Sequence, residues 1–182
     1  MMDHDRVPHA DRQLLLSYYG DDFTGSTDVM EVLELAGIPT ALYLRPPSPV
    51  DIADHPTVRA VGLARASRTW SIEQMDADLP SVFRAMSGLG ALTFHYKICS
   101  TFDSSPAIGS IGRALEIGQR SVSPAPIPLL VGSPDLGRYC VFGELYARAG
   151  RIHRLDRHPT LPLHPLTPMR EADLLRHLRL QT

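Results

Sequence analysis

Two hydrophobic patterns alternate along the chain. Residues 14–19 are an apolar run that reads as a buried strand. Residues 26–36 follow with Val29, Val32, Leu33 and Ala36 on one helical face, and Gly37 is a good stop. Residues 40–44 and 58–64 read as a second and a third strand. Ser71 is placed to cap a helix holding Ile72, Met75, Leu79 and Phe83, with Pro80 inside it and Gly88 after it. Residues 92–98 give a fourth strand. Ser105 and Pro106 look like an N-cap with proline at the first helical position, and Ile108, Ile111 and Leu115 mark the helix face behind them. Residues 128–131 read as a fifth strand, 139–142 and 151–155 as shorter strand-like pieces, and 171–180 as a charged helix. This βα alternation predicts an α/β fold: a doubly wound, mostly parallel sheet with helices on both faces. Its ligand-binding loops belong at the carboxyl edge of the strands.

Composition narrows the picture. The 182 residues suit one domain, and the 43% apolar fraction is that of an ordinary globular protein. A net charge of −2 points to no nucleic-acid or membrane partner. The polar stretch 1–12 carries no signal-peptide core and reads as a disordered lead-in. Cys99 and Cys140 are far apart, so a reducing, cytoplasmic setting is expected. The sixteen prolines cluster in loops and form no interdomain linker.

Three segments follow predicted strands. The first is Asp21 and Asp22, leading through Phe23 and Thr24 to Gly25. The second is Ser67 and Arg68. The third is Lys97 with Ser100 and Asp103. If the topology holds, they converge on one cleft holding carboxylates, a guanidinium, an ammonium and hydroxyls. That mixture suits a small polyhydroxylated acid: arginine grips carboxylates through paired hydrogen bonds, and an aspartate can orient or deprotonate a hydroxyl that attacks a phosphoryl group. Gly109 and Ser110 open a helix whose main-chain donors favour an anion. The histidines, His158 and His164 especially, sit in a proline-rich loop and read as loop structure or substrate-edge contacts, with no metal site expected. No triphosphate-binding or dinucleotide-binding glycine loop is present in the sequence. A phosphatase of the haloacid dehalogenase type is disfavoured, because its aspartates stand two apart and these are adjacent.

In combination, the segments 21–28, 67–68, 95–103, 109–112, 132–134, 156–160 and 164–169 resemble the four-carbon acid sugar kinases, whose members have also been labelled Hrp-dependent type III effectors. The resemblance covers the chain from about residue 14 onward. It implies that residues 13–182 form the N-terminal, sugar-acid-binding half of a two-domain kinase. ATP and Mg2+ would be bound mainly by a C-terminal domain that this chain lacks. It also implies that Asp22 or Asp21 serves as base or hydroxyl orienter. Arg68, Lys97 and Ser100 would hold the acid, with Ser67 and Asp103 nearby and Gly109 and Ser110 supplying main-chain donors. The alternative is a non-catalytic sugar-acid-binding module or effector-like protein.

Overall fold

A computed structural model describes residues 13–182; the expected lead-in at 1–12 lies outside the described residues. Four strands form a parallel sheet: β1 (Leu16–Gly20), β2 (Thr40–Tyr43), β3 (Ala60–Ala64) and β4 (Thr93–Lys97), in the order β2-β3-β1-β4. The register sets Gly20 opposite Ala64 and Lys97, so the three central strands end level with one another. Helix α1 (Phe23–Leu35) packs on one face of this sheet and α3 (Ile72–Ser87) on the other. The strand alternation shows in adjacent tyrosines. The Tyr18 hydroxyl donates to the Ser26 carbonyl in α1, whereas the Tyr19 ring meets Phe83 of α3 edge-on at 5.5 Å. Between sheet and α3 lies a core that includes Val61, Leu63, Met75, Leu79, Phe83 and Met86. Gly62 is dictated by packing, since a β-carbon there would stand 2.1 Å from the Tyr18 ring.

Ser71 caps α3 as expected. It forms a capping box with Gln74, and Pro80 is accommodated within the helix. A short helix, α2 (Pro49–Ala53), occupies a stretch read as a proline loop; Ser48 caps it and Asp51 completes the box. Helix α4 (Ile111–Ser121) starts later than expected. Ser110, not Ser105, is its N-cap, because Gly109 takes φ +57 and no helix runs through that conformation. The α1 face is also shallower than its pattern implies, with Val32 66% exposed.

The expected fifth parallel strand does not form. Residues 128–131 pair with no strand, and Leu130 is 87% exposed. Instead, a second, antiparallel sheet is built from β5 (Arg138–Val141), β6 (Glu144–Ala149) and β7 (Arg151–Arg154). Its middle strand was not foreseen, although Leu145 and Ala147 alternate inward. These two residues join Phe102, Ile111, Leu155 and Met169 in a second core. The charged tail helix shortens to α5 (Leu174–Arg179). No described helix is long and apolar enough to cross a membrane.

Candidate functional site

The carboxyl ends of β1, β3 and β4 meet at one sheet edge, and backbone hydrogen bonds tie their loops together. Asp21 N–H donates to the Lys97 carbonyl at 3.1 Å, Arg65 N–H to Gly20 at 3.2 Å and Arg68 N–H to Asp21 at 3.1 Å. The three post-strand segments therefore converge.

Asp22 is the N-cap of α1. Its backbone is extended, and its Oδ1 accepts from the Gly25 N–H at 3.0 Å. Gly25 sits in a crowded spot, where a side chain would force Asp22 or Lys97 to shift. A β-carbon there would lie 2.5 Å from Asp22 Oδ1 and 2.9 Å from Lys97 Nζ. Arg68, in the 3-10 turn Ser67–Thr69, reaches across to this loop. Its Nη2 stands 2.9 Å from Asp21 Oδ1 and 3.0 Å from Asp22 Oδ1, and its Nη1 is 3.9 Å from Asp103 Oδ2. Three carboxylates thus surround one guanidinium. Burial pushes the Asp21 carboxyl up to about 6 against the pull of Arg68, with Asp22 and Asp103 adding to the rise. Burial also raises Asp103, but the Thr101 hydroxyl and Arg68 outweigh it and hold that carboxyl below its usual range. Asp103 is presented by an unusual turn: buried Phe102 just before it has φ +57.

Beside this cluster opens a cleft of about 370 Å3. Asp21, Asp22 and Arg68 line it together with Phe23 and Thr24 from the first turn of α1 and with His164, Leu166 and Thr167 from the proline-rich strap. The strap is tied to the cluster, as the Thr167 hydroxyl donates to Asp103 Oδ2 at 3.3 Å. Two His-Pro turns share one device. The ring Nδ1 of His158 accepts from Thr160 N–H at 3.3 Å, and that of His164 accepts from Thr167 N–H at 3.1 Å.

Not every expected site residue faces the cleft. Ser67 is buried beneath it, and its hydroxyl has no partner among the described residues. Lys97 and Ser100 are half-buried and outside the lining, with the Lys97 ammonium donating to the Ile98 carbonyl at 2.8 Å. Gly109 and Ser110 are already engaged. Gly109 N–H donates to Trp70, and a β-carbon on Gly109 would stand 2.2 Å from the Arg68 carbonyl. Ser110 is fully buried and caps Arg113 N–H at 3.0 Å, while Gln181 Oε1 accepts from Gly112 N–H at 3.1 Å. The anion site expected at this helix start is therefore filled by the chain's own tail. The role of Thr167 is not legible in the sequence, because its link to Asp103 spans 64 residues.

This sheet and edge cleft define an α/β ligand-binding domain. The family described as the sugar-binding N-terminal domain matches residues 16–182, and the chain belongs to that family. It is 54% identical over 170 residues to the 3-oxo-isoapionate kinase of Paraburkholderia graminis, covering 93% of this chain and 36% of that protein. It is 33% identical over 173 residues to the 3-oxo-tetronate kinase of Pectobacterium atrosepticum, covering 91% and 37% respectively. The chain thus spans little more than a third of the curated relatives it matches. A structure from Salmonella typhimurium LT2 superposes with a TM-score of 0.78 at 25% identity, over 93% of this chain and 39% of that one. A Haemophilus influenzae protein shares the fold at a TM-score of 0.72 and 24% identity, over 92% and 39%.

Proposed function

We propose that residues 13–182 are the sugar-acid-binding half of a cytoplasmic, ATP-dependent kinase acting on a short oxo sugar acid of the isoapionate or tetronate type. The observation that carries this reading is the cleft at the sheet edge, floored by Asp22 and Arg68, in a chain 54% identical to a kinase of such an acid.

The geometry divides the labour between the two aspartates. Both Asp21 oxygens face Arg68, at 2.9 and 3.4 Å, and the side chain is only 4% exposed. Asp21 therefore fixes the guanidinium. Asp22 commits Oδ1 to Gly25 and Arg68, whereas its Oδ2 has no partner among the described residues and its side chain is 26% exposed. Asp22 is the group placed to accept a hydrogen bond from a ligand hydroxyl and to orient it for attack on a phosphoryl group. Arg68 keeps an open edge toward the cleft for the acid, and Asp103 steadies it from behind.

ATP and Mg2+ do not fit this chain's described residues. The glycine-flanked start of α4 is occupied by Ser110 and Gln181, and no group of three or more His, Cys, Asp or Glu is arranged for a metal among the described residues. Both are assigned to a separate C-terminal domain.

The test is calorimetric titration of this chain with 3-oxo-isoapionate, 3-oxo-tetronate, L-threonate and D-erythronate. Phosphorylation is then assayed with ATP and the C-terminal half of the Paraburkholderia relative. Binding of at least one acid is expected, and heat from none of them would refute the reading. The second reading is a sugar-acid-binding module without turnover. Binding without phosphorylation in the mixture would support it.

A further inference from the structure

We infer that His164 is a ligand-contacting, specificity-determining residue. It presents a fixed Nε2–H donor to an acceptor-only oxygen of the sugar acid. The inference rests on the reading of the cleft as a sugar-acid site.

The tautomer follows from the backbone. An amide N–H can only donate, so the Thr167 N–H at 3.1 Å requires an unprotonated Nδ1 on His164. The Thr167 hydroxyl lies 2.9 Å from the same nitrogen and donates to Asp103 Oδ2 at 3.3 Å. The ring hydrogen of neutral His164 is therefore on Nε2. Thr167 is itself fully buried and anchored through Asp103 to Arg68, so the ring is held by the same network that orients the floor of the cleft.

Besides the Thr24 hydroxyl, the cleft has few uncommitted side-chain donors. Arg68 divides its charge among three carboxylates. The Lys97 ammonium is turned to the Ile98 carbonyl and lies outside the lining. The Thr69 hydroxyl donates to the Ala66 carbonyl at 2.8 Å. His164 lines the cleft and has no partner for Nε2 among the described residues. The matching partner on the ligand is a carboxylate or oxo oxygen, because each accepts and never donates.

A purely structural role makes a different forecast, and the other His-Pro turn supplies the comparison. His158 uses Nδ1 in the same way but is buried beside His153, away from the cleft. Two isosteres separate the roles at position 164. Asparagine can keep an acceptor where Nδ1 stands and removes the cleft donor. Glutamine can keep a donor where Nε2 stands and removes the acceptor for Thr167.

The experiment measures Kd by calorimetry for 3-oxo-tetronate and L-threonate with the wild-type chain, His164→Asn, His164→Gln and His158→Asn. Nitrogen-15 NMR of the ligand-free chain reads the tautomer. Expected are an Nε2–H signature for His164, roughly tenfold weaker binding for His164→Asn, a smaller loss for His164→Gln and no change for His158→Asn. A loss confined to 3-oxo-tetronate assigns the donor to the oxo oxygen, and an equal loss for both acids assigns it to the carboxylate. An Nδ1–H tautomer, or wild-type affinity in His164→Asn, overturns the inference while leaving the binding function intact. No binding by the wild-type chain overturns both.

Discussion

Replacing Asp21 by asparagine isolates one titration in the interior. The Asp21 carboxyl stands at about 6 in the folded chain against an ordinary 3.8. At 1.36 kcal/mol per unit, that displacement is worth about 3 kcal/mol. The sign follows from proton counts. Between pH 4 and 6 the folded chain holds the Asp21 proton more tightly than the unfolded chain, so raising the pH through this window removes stability. The cost is absent below about pH 4 and complete above about pH 6. Asparagine imitates the protonated acid and escapes it. The stability of Asp21→Asn relative to wild type should therefore rise by about 3 kcal/mol from pH 4 to pH 7. Urea unfolding followed by the fluorescence of Trp70, the only tryptophan, measures both proteins across that range. Taking the difference matters. Asp51, Asp76 and Asp156 are held low, and burial pushes His95, His158 and His177 down, so these groups cost stability as pH falls but do so in both proteins; Asp103, which shares Arg68 with Asp21, falls outside this cancellation. A pH-independent difference, or one that shrinks as pH rises, would show that Arg68 outweighs burial at Asp21 and would refute the reasoning.

Asp22→Asn should abolish phosphorylation in the mixture with the C-terminal half while leaving sugar-acid affinity within about tenfold; retained turnover would remove Asp22 from its assigned role. Gly25→Ala brings a methyl to 2.5 Å from Asp22 Oδ1, so it should displace the cap, cost on the order of 1–2 kcal/mol in thermal melts and weaken sugar-acid binding. Gly109→Ala combines φ +57 with a 2.2 Å approach to the Arg68 carbonyl, and should cost on the order of 2 kcal/mol or more and weaken sugar-acid binding measured by calorimetry.

Most of the parallel sheet was legible because strand, cap and helix signals agreed locally, as at Ser71 and Gly88 around α3. Where they failed, the cause was tertiary. Residues 128–131 form an apolar run like that of a strand, but Leu130 points to water and only Val131 is buried. The Ser-Pro pair at 105–106 imitates a helix start, yet the positive φ of Gly109 delays the helix to Ile111. The alternation in β6 is short, with only Leu145 and Ala147 on its buried face. At the site, Asp21, Asp22 and Arg68 could be placed from strand ends alone. The shortage of free cationic charge could not, since it depends on which carboxylates reach Arg68 from 47 and 35 residues away.

The strap over the cleft contains Pro162, Pro165 and Pro168, and its His164 ring is locked to the amide of Thr167. Three prolines in seven residues leave little backbone freedom, so this wall is stiff before any acid arrives. The floor is equally rigid, cross-linked between β1 and the turn after β3. If the cleft takes a sugar acid as proposed, its gap is preset, and an acid one carbon too long is accommodated at the first turn of α1 or not at all.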